Sequence, residues 1–463
     1  FLYYNFNYII KNFFSIGVYF MKKINRKYLF ANEDSETILK TAEEQNFFSN
    51  QVLSIKTFDN ITLLPPKFKS WRTVPMCIGG GVDEQNNYVE ETATINFNIY
   101  RMYGSYQYDS EKVKNSDETV FFSGFYVQQW GHFLLECISR FYPIIQNPEK
   151  YKDMKIIFLP MRENDEINGT FLELLNLIGI MEEQIVILRE PTRYKKIIVP
   201  EPSLNTNIFW TKEYETIINH IVEKAMGKPV KIKTHKKIYL SRKNWALSYD
   251  RDIGEDKIER FFNKNGFKSV SMEKHSLVEQ IHILQGADHV ASAICTLPHN
   301  LLFARDGIKS AIINKMPRYN SSQFQIDDFK NIDATYIDGY LALFSADCGI
   351  GPFLFDVNEN LINYAKDNGM KLPKREARKD DIIKYLDLCF EKIDNLSDRD
   401  LYELRNLYKI MRTRFHFYSK KELFIKKYFY KVLSMIIKGK NKYFYNRYIE
   451  YKNRLKEYKK VMF

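Results

Sequence analysis

Short apolar runs alternate with helical periodicities through the middle of the chain. Seven runs predict strands, KIIFLP, QIVIL, KKIIVP, KKIYLS, FKSVSM, DHVASA and KSAIIN, which begin at residues 155, 184, 195, 236, 267, 288 and 309. Apolar residues spaced by three and four predict helices in TFLELLNLIGI, EYETIINHIVEKAM, EDKIERFFNKNG and SLVEQIHILQGA. Because strands that alternate with helices form parallel sheets with crossover helices, the pattern predicts an α/β protein.

A break in this pattern suggests how the chain is divided. Gly, Pro and several Lys interrupt it in GKPVKIKTHKK, residues 227–237. We therefore predict two doubly wound domains that meet at a cleft. The predicted segments are the N-terminal domain 21–229, the C-terminal domain 230–350, a helical return segment 351–400 and a basic tail 401–463.

The first 20 residues form a separate segment, FLYYNFNYIIKNFFSIGVYF. They are aromatic, but Asn and Lys interrupt them, so they resemble neither a membrane span nor a signal peptide. We expect translation to start at Met21 and residues 1–20 to be upstream or non-native sequence. An amphipathic membrane anchor is the alternative.

The positive charge of the chain is concentrated in the tail. The 463 residues carry a net charge of +12, and residues 401–463 alone hold 18 Lys and Arg against 4 Asp and Glu. Lys alternates there with Phe, Tyr, Leu and Ile at helical spacings, as in basic amphipathic helices. An anionic membrane surface is one expected partner, and a solvated helical hairpin is the alternative. We expect no nucleic-acid binding, because no recognised binding motif accompanies the charge.

Composition otherwise indicates a folded protein of a reducing compartment. Apolar residues make up 45% of the chain, enough for large cores. The cysteines are five in number and form no CxxC pair, which argues against a disulfide framework or a structural zinc site. We expect a cytoplasmic protein, peripheral on the inner face of the plasma membrane if the tail binds lipid.

Polar and basic residues follow several predicted strands of the second half. Ligands of open α/β sheets bind outside the carboxyl ends of the strands. Arg242 and Lys243 follow KIYL and have the donors to hold a diphosphate. Thr296 follows HVASA and precedes a helix expected to start near Pro298, whose N-terminal N–H groups would face an anion. Together these features predict a phosphate-bearing ligand.

An unusual polar stripe is predicted in the first half. The segment YVQQWGHFLLECISRFYP, residues 126–143, reads as an apolar helix that carries His132, Glu136 and Arg140 at intervals of four. Residues spaced by four share one face of a helix, so these three side chains are expected to line up.

The ordered set WGHFLLECISRFYP, YLSRKN and SMEKHSLVEQIHILQGADHVASAICTLPHNLLFA resembles glycosyltransferase family 61. The resemblance covers roughly residues 121–314, and the whole set is far more specific than any one motif. It implies a GT-B fold with two Rossmann-like domains facing a cleft and a nucleotide-sugar donor in the second. It also implies inverting transfer without an essential metal, as in capsular polysaccharide biosynthesis.

Site residues follow from the resemblance position by position. The family's Gly-His element matches Gly131 and His132, and its acid matches Glu136. The donor-binding positions that match, or that the strand ends suggest, are Ser241, Arg242, Lys243, Glu273, Ser276, Glu279, Gln280, Thr296, His299 and Asn300. From spacing alone, Glu279 also reads as an exposed surface residue.

One loop departs from the family pattern. Where many members read GxHGAxxxN, this chain has SAICTLPHN, with Ile294 in place of the histidine and Asn300 retained. Thr296 and His299 are candidates to replace that histidine. The change also allows a catalytically silent relative that binds ligands or scaffolds polysaccharide assembly.

The expected chemistry is a sugar transfer in which the acceptor hydroxyl loses its proton as it attacks the anomeric carbon. His132 is the candidate base, and Glu136 either fixes its tautomer or is itself the base. A structural role for His132 at the helix start is the alternative. We expect no cofactor and no metal, because the two DRD strings, at 250–252 and 398–400, follow no apolar strand. The sequence thus predicts a bacterial glycosyltransferase, a hexosyl- or pentosyltransferase that uses a nucleotide-sugar donor, by preference a UDP-sugar.

Overall fold

The secondary structure is that of a mixed α/β protein. The computed structural model describes residues 46–70, 73–243, 251–316, 319–341 and 351–373, the strand at 26–29, and residues 381, 384, 385, 388, 428, 429, 431, 432 and 449. The strands are β1 Arg26–Leu29, β2 Ile55–Phe68, β3 Cys77–Val82, β4 Thr94–Asn96, β5 Ile99–Met102, β6 Lys114–Tyr126, β7 Ile156–Pro160, β8 Ile185–Ile187, β9 Thr192–Pro200, β10 Leu204–Asn205, β11 Phe209–Trp210, β12 Lys237–Leu240, β13 Asp252–Ile253, β14 Lys268–Val270, β15 His289–Ala293, β16 Lys309–Asn314, β17 Asp333–Asp338 and β18 Phe353–Leu354.

The helices are α1 Trp130–His132, α2 Tyr142–Gln146, α3 Pro148–Tyr151, α4 Gly169–Ile178, α5 Lys212–Met226, α6 Glu255–Lys264, α7 Leu277–Gly286, α8 Ser321–Lys330 and α9 Glu359–Asp367. Short 3₁₀ segments lie at Glu90–Thr92, Ser110–Lys112, Glu182–Gln184, Met272–Lys274 and Leu297–Phe303, and a π-helical turn at Phe133–Cys137 follows α1. All seven predicted strands and all four predicted helices are present, with ends that differ by a few residues.

The C-terminal sheet is parallel throughout and has the order β1-β17-β16-β15-β12-β14. Its buried side chains alternate between two faces, as the pleat requires. Ile238 and Val290 face a layer that contains α7 and α8, whereas Tyr239 and Ala291 face α6 and α9. Apart from the added strand β1, the order is the doubly wound 2-1-3-4-5 arrangement, whose switch point lies between β12 and β15.

The N-terminal sheet is only half parallel. Its order is β4-β5-β3-β2-β9-β6-β7-β8, in which β9, β6, β7 and β8 run parallel and β2 is antiparallel to both of its neighbours. Register shifts in β2 and β6 disrupt the ladder, and such bulges bend a sheet. The sheet therefore shares parallel strands with a Rossmann-like domain but adds an antiparallel half that the sequence pattern does not predict.

The three glycines at residues 79–81 lie within β3, although a run of glycines ordinarily predicts a turn. Gly80 has a φ of +118°, and a Cβ there would be 2.8 Å from the Tyr88 hydroxyl and 2.9 Å from Thr92 Oγ1. Glycine permits this close approach of side chains to the strand backbone.

A helical layer joins the two sheets through one buried cluster. Its members include Phe158 of the N-terminal sheet, Ile218 of α5, Leu277 of α7 and Ile312 of the C-terminal sheet. Helix α5 packs against both α4 and α7. The two sheets are thus connected by apolar packing as well as by the chain segment 227–237.

Several expectations concern parts of the chain outside this description. Residues 1–20, most of the return segment beyond residue 373 and nearly all of the basic tail 401–463 lie outside the described residues. Within the described ranges, none of the helices has the length and hydropathy needed to cross a membrane.

Candidate active site

The turn after β6 holds His132 and Glu136 in contact. His132 Nδ1 lies 2.7 Å from Glu136 Oε1, and the side chains are 30% and 7% exposed. The carboxylate accepts the hydrogen bond, so Nδ1 carries the proton and Nε2 keeps its lone pair. Among the described residues, Nε2 has no hydrogen-bond partner. This pair thus combines an oriented imidazole with an available basic nitrogen.

Arg140 does not extend this polar stripe, so that part of the prediction was wrong. The α-helical turn gives way to the π turn Phe133–Cys137, where Ile138 N–H donates to Phe133 C=O over 3.3 Å. The Arg140 guanidinium is buried and donates to the carbonyls of Pro200, Glu91 and Ala93. Burial lowers the pKa of Arg140 to about 10. Its role is to hold backbone segments of the N-terminal sheet together.

The start of α1 packs directly on the loop that follows β15. Trp130 Nε1 donates to Asn300 Oδ1 over 2.6 Å. A Cβ on Gly131 would lie 2.8 Å from Thr296 Cγ2 and 3.1 Å from His299 Cδ2. Glycine is therefore required at 131 for this contact, which places His132 beside the switch point of the C-terminal sheet.

His299 is a buried neutral histidine beside His132. It is 3% exposed, its Nδ1 lies 3.0 Å from Gln323 Oε1, and its Nε2 lies 3.4 Å from Asn320 Nδ2. Burial lowers the pKa of His299 to about 4. Ile294, which stands where the family histidine falls, is part of the apolar core.

The anion-binding helix expected after Thr296 is absent from this loop. Residues Leu297–Phe303 form a 3₁₀ helix, and Pro298 has no N–H to offer. The Leu297 N–H already donates to Cys295 Sγ over 3.3 Å. The first turn therefore lacks the row of unpaired amides on which that expectation depended.

A buried charge cluster occupies the carboxyl edge of the C-terminal sheet. Arg242 Nη1 and Lys315 Nζ contact opposite oxygens of Asp252, at 2.6 and 3.1 Å, and all three side chains are at most 4% exposed. Glu255 lies beside them and accepts a hydrogen bond from the Tyr239 hydroxyl over 3.2 Å. Burial, reinforced by the charge of Asp252, raises the pKa of Glu255 to about 7. When Glu255 is protonated, two cations face one carboxylate.

The other residues after β12 differ in accessibility. Ser241 is buried and donates to Glu259 Oε2 over 3.0 Å. Lys243 is exposed at the same edge. Lys243 is therefore the basic residue of this group that reaches solvent, while Arg242 acts from within the cluster.

The Ser276 element builds the start of α7. The Ser276 hydroxyl accepts from Glu279 N–H over 3.3 Å, and Glu279 Oε2 accepts from Ser276 N–H over 3.0 Å, which is a capping box. Gln280 is buried and donates to the His275 carbonyl, whereas Glu273 is exposed. These residues lie beyond β14 on the same sheet edge, and Ser276, Glu279 and Gln280 make their hydrogen bonds within residues 275–280.

The structure also identifies site residues that the sequence reasoning missed. Asp252 belongs to the DRD string at 250–252, which predicts no metal site, and no motif marks Glu255 or Lys315. Lys315 directly follows β16, so the rule applied to the ends of β12 and β15 would have found it. Among the described residues, no group of three His, Cys, Asp or Glu side chains has the geometry to hold a metal ion.

Comparison with known families matches residues 130–313, from Trp130 to the end of β16, to Glycosyltransferase 61. This match supports an assignment to glycosyltransferase family 61. The family 61 segment is less than half of the chain, yet it contains both the His132–Glu136 pair and the edge from Ser241 to Asn300. The match confirms the resemblance predicted from the ordered motifs. A comparison with curated proteins gives no match.

Proposed function

We propose that the protein is an inverting glycosyltransferase that moves a sugar from a nucleotide-sugar donor to a glycan acceptor without a metal ion. The observation that carries this proposal is the His132–Glu136 pair, packed against the switch point of a parallel sheet. Ligands of such sheets bind at the switch point. A base and a phosphate-binding edge are therefore adjacent.

In the proposed reaction, His132 Nε2 takes the proton of the acceptor hydroxyl. That oxygen forms a bond to the anomeric carbon, while the bond from this carbon to the diphosphate oxygen breaks. The Glu136 carboxylate, 2.7 Å from Nδ1, stabilises the imidazolium that forms. The products are the extended glycan and a nucleoside diphosphate.

The leaving diphosphate needs positive charge at the sheet edge. We assign direct contact to the exposed Lys243, with Arg242 and Lys315 supplying the field from the cluster behind it. The pKa of Glu255, raised to about 7, keeps part of this carboxyl protonated near neutral pH and so preserves part of that positive field.

The wider assignment rests on the resemblance and on composition. We propose a GT-B arrangement, a UDP-sugar as donor, and a role in capsule or surface polysaccharide synthesis. We place the protein in the cytoplasm, with the tail 401–463 holding it on the inner face of the membrane. The roles assigned to His132 and Glu136 do not depend on these wider assignments.

The first test is thermal stabilisation by a panel of UDP-, GDP-, CMP- and dTDP-sugars. A ligand at 100 times its dissociation constant adds about 2.7 kcal/mol to the free energy of unfolding. We expect one nucleotide family to stabilise the protein and Lys243→Ala to weaken the effect. Arg242→Ala is the second variant, informative only if it folds, because it leaves Asp252 with one cation.

The second readout is nucleoside diphosphate formation with an oligosaccharide mixture as acceptor. We expect His132→Ala to lose about 10²- to 10⁴-fold in rate and to keep the donor-induced stabilisation. His132→Gln covers the case in which alanine perturbs the turn. His235→Ala, in the linker, is the matched control. If no sugar nucleotide stabilises the folded protein, we would infer that it is a catalytically silent relative.

A further inference from the structure

A second recess opens on the N-terminal sheet, outside the donor edge. Its volume is about 1010 Å³ when the open solvent at its mouth is included. Its walls come from the carboxyl end of β7 at Pro160, the residues after β8, the bulged part of β2 and the loop 106–109. None of these elements belongs to the charge cluster.

The recess and the His132 turn share one edge of the sheet. β6 and β7 are parallel neighbours in which Tyr126 pairs with Pro160, and Met161 N–H donates to the Tyr126 carbonyl over 2.8 Å. The chain leaves β6 at Tyr126 and begins α1 at Trp130. The recess and the His132 turn therefore lie at the ends of neighbouring strands.

Two tyrosines in the recess are held by their hydroxyl groups. Tyr106 donates to the Pro65 carbonyl over 2.9 Å, and Tyr108 donates to Asn86 Oδ1 over 2.8 Å. Lys67 Nζ lies 3.7 Å from the centroid of the Tyr106 ring. Rings fixed in this way lose little freedom on binding, so they are prepared surfaces for the C–H faces of a sugar.

The charges of the recess balance and are of both kinds. Lys67 and Arg189 contribute two positive charges, and Asp109 and Glu163 contribute two negative charges. Among the described residues, neither Lys67 nor Glu163 has a partner of opposite charge. A diphosphate would need an excess of positive charge, and a lipid chain would need a wall without these four charged side chains. Sugar hydroxyls, each both donor and acceptor, match a mixed set.

We propose that this recess binds the acceptor as an oligosaccharide chain of neutral or balanced charge. This assignment rests on the proposed transferase function. In this proposal Tyr108 and Glu163 select the acceptor and take no part in the chemical step.

The test measures binding of the full chain to an array of neutral, acidic and amino-sugar oligosaccharides without donor. We expect Tyr108→Ala to weaken the strongest binding about tenfold, as for the loss of one aromatic contact, and Glu163→Gln to change which glycans bind. Tyr100→Ala, an exposed tyrosine outside the recess, is the matched control and should bind like the parent. With donor present, Tyr108→Ala should raise the acceptor KM and leave the donor KM unchanged.

The two proposals fail separately. If transfer occurs and both recess variants keep the parent's acceptor KM and array pattern, the recess proposal is overturned and the transferase stands. If no sugar nucleotide binds but recess-dependent glycan binding persists, the transferase fails and the glycan site stands. Binding of lipid or peptide in place of glycans would also overturn the recess proposal.

Discussion

One buried carboxyl group, Glu255, makes the charge of the donor edge depend on pH. Its pKa is raised from 4.5 to about 7 by burial and by Asp252. Between these values the folded protein holds a proton that the unfolded chain has released. Stability from this group is therefore present below pH 4.5 and is lost as the pH rises toward 7.

The Glu255→Gln variant tests this assignment. We expect the variant and the parent to differ by a constant amount below pH 4.5, and the variant to gain about 3 kcal/mol relative to the parent by pH 8. Chemical denaturation of both proteins across this range gives the difference directly. The lowered pKa of His299 makes the free energy of unfolding fall as the pH decreases, which is the opposite dependence. Because both proteins contain His299, its contribution cancels in their difference. A difference that stays flat with pH would contradict a raised pKa at Glu255.

Individual site residues were predictable where local spacing decides the contact. His132 and Glu136 meet because residues four apart face each other even across the start of a π turn. Arg140 continues the same spacing, but the helix has ended by then, and tertiary contacts decide where its guanidinium lies. The pairing of Arg242 with Asp252 joins the segment after β12 to the start of β13, and no pattern in one sequence reveals it.

At the scale of elements, the Ser276 motif illustrates how one pattern can indicate two roles. Ser276 and Glu279 form the cap of α7, and Glu173 of α4 accepts from the Leu277 N–H over 2.6 Å. A family motif can thus be retained for folding, for ligand contact or for both.

Two substitutions at Ser276 separate these roles. We expect Ser276→Ala to lower the free energy of unfolding by about 1 kcal/mol, because α7 loses its N-terminal cap. Ser276→Asp should restore stability, since aspartate also caps helices. If Ser276 contacts the donor diphosphate as well, Ser276→Asp will weaken sugar-nucleotide stabilisation by repulsion. Unchanged stability in Ser276→Ala would contradict the capping role, as judged by denaturant titration.

Four strands of the C-terminal sheet, β12, β14, β15 and β16, were predicted, whereas β1 and β17 were missed. β15 and β16 carry buried residues on both faces and helices lie between these strands in sequence, so hydrophobic runs and helical periodicities alternate there. The sequence pattern does not predict the antiparallel half of the N-terminal sheet. Strand β2 ends in NITLLPPKF and carries two prolines at a bulge, and strand β3 carries three glycines. Both residue types ordinarily indicate turns.

At the scale of the whole molecule, the position of the helical layer predicts cooperative unfolding. Ile218 of α5 is fully buried in the cluster that touches both sheets. We expect Ile218→Ala to cost about 2–5 kcal/mol and to reduce amide-exchange protection in β7 and β15 together. Ile61→Ala is the matched control, because Ile61 lies in a separate cluster on the far face of the N-terminal sheet. It should reduce protection in the N-terminal sheet more than in the C-terminal sheet.

This prediction also bears on how the active site is assembled. His132 comes from the N-terminal sheet and the charge cluster from the C-terminal sheet, so their separation depends on the shared layer and on the Trp130–Asn300 hydrogen bond. If the two sheets open together, the base and the donor edge form a fixed unit, and Ile218→Ala should reduce transfer in parallel with stability. If the two sheets unfold independently, the shared core does not fix the distance between His132 and the charge cluster. The Trp130–Asn300 contact and the substrate would then have to hold the site together, and the Ile218 variant would regain activity at saturating donor.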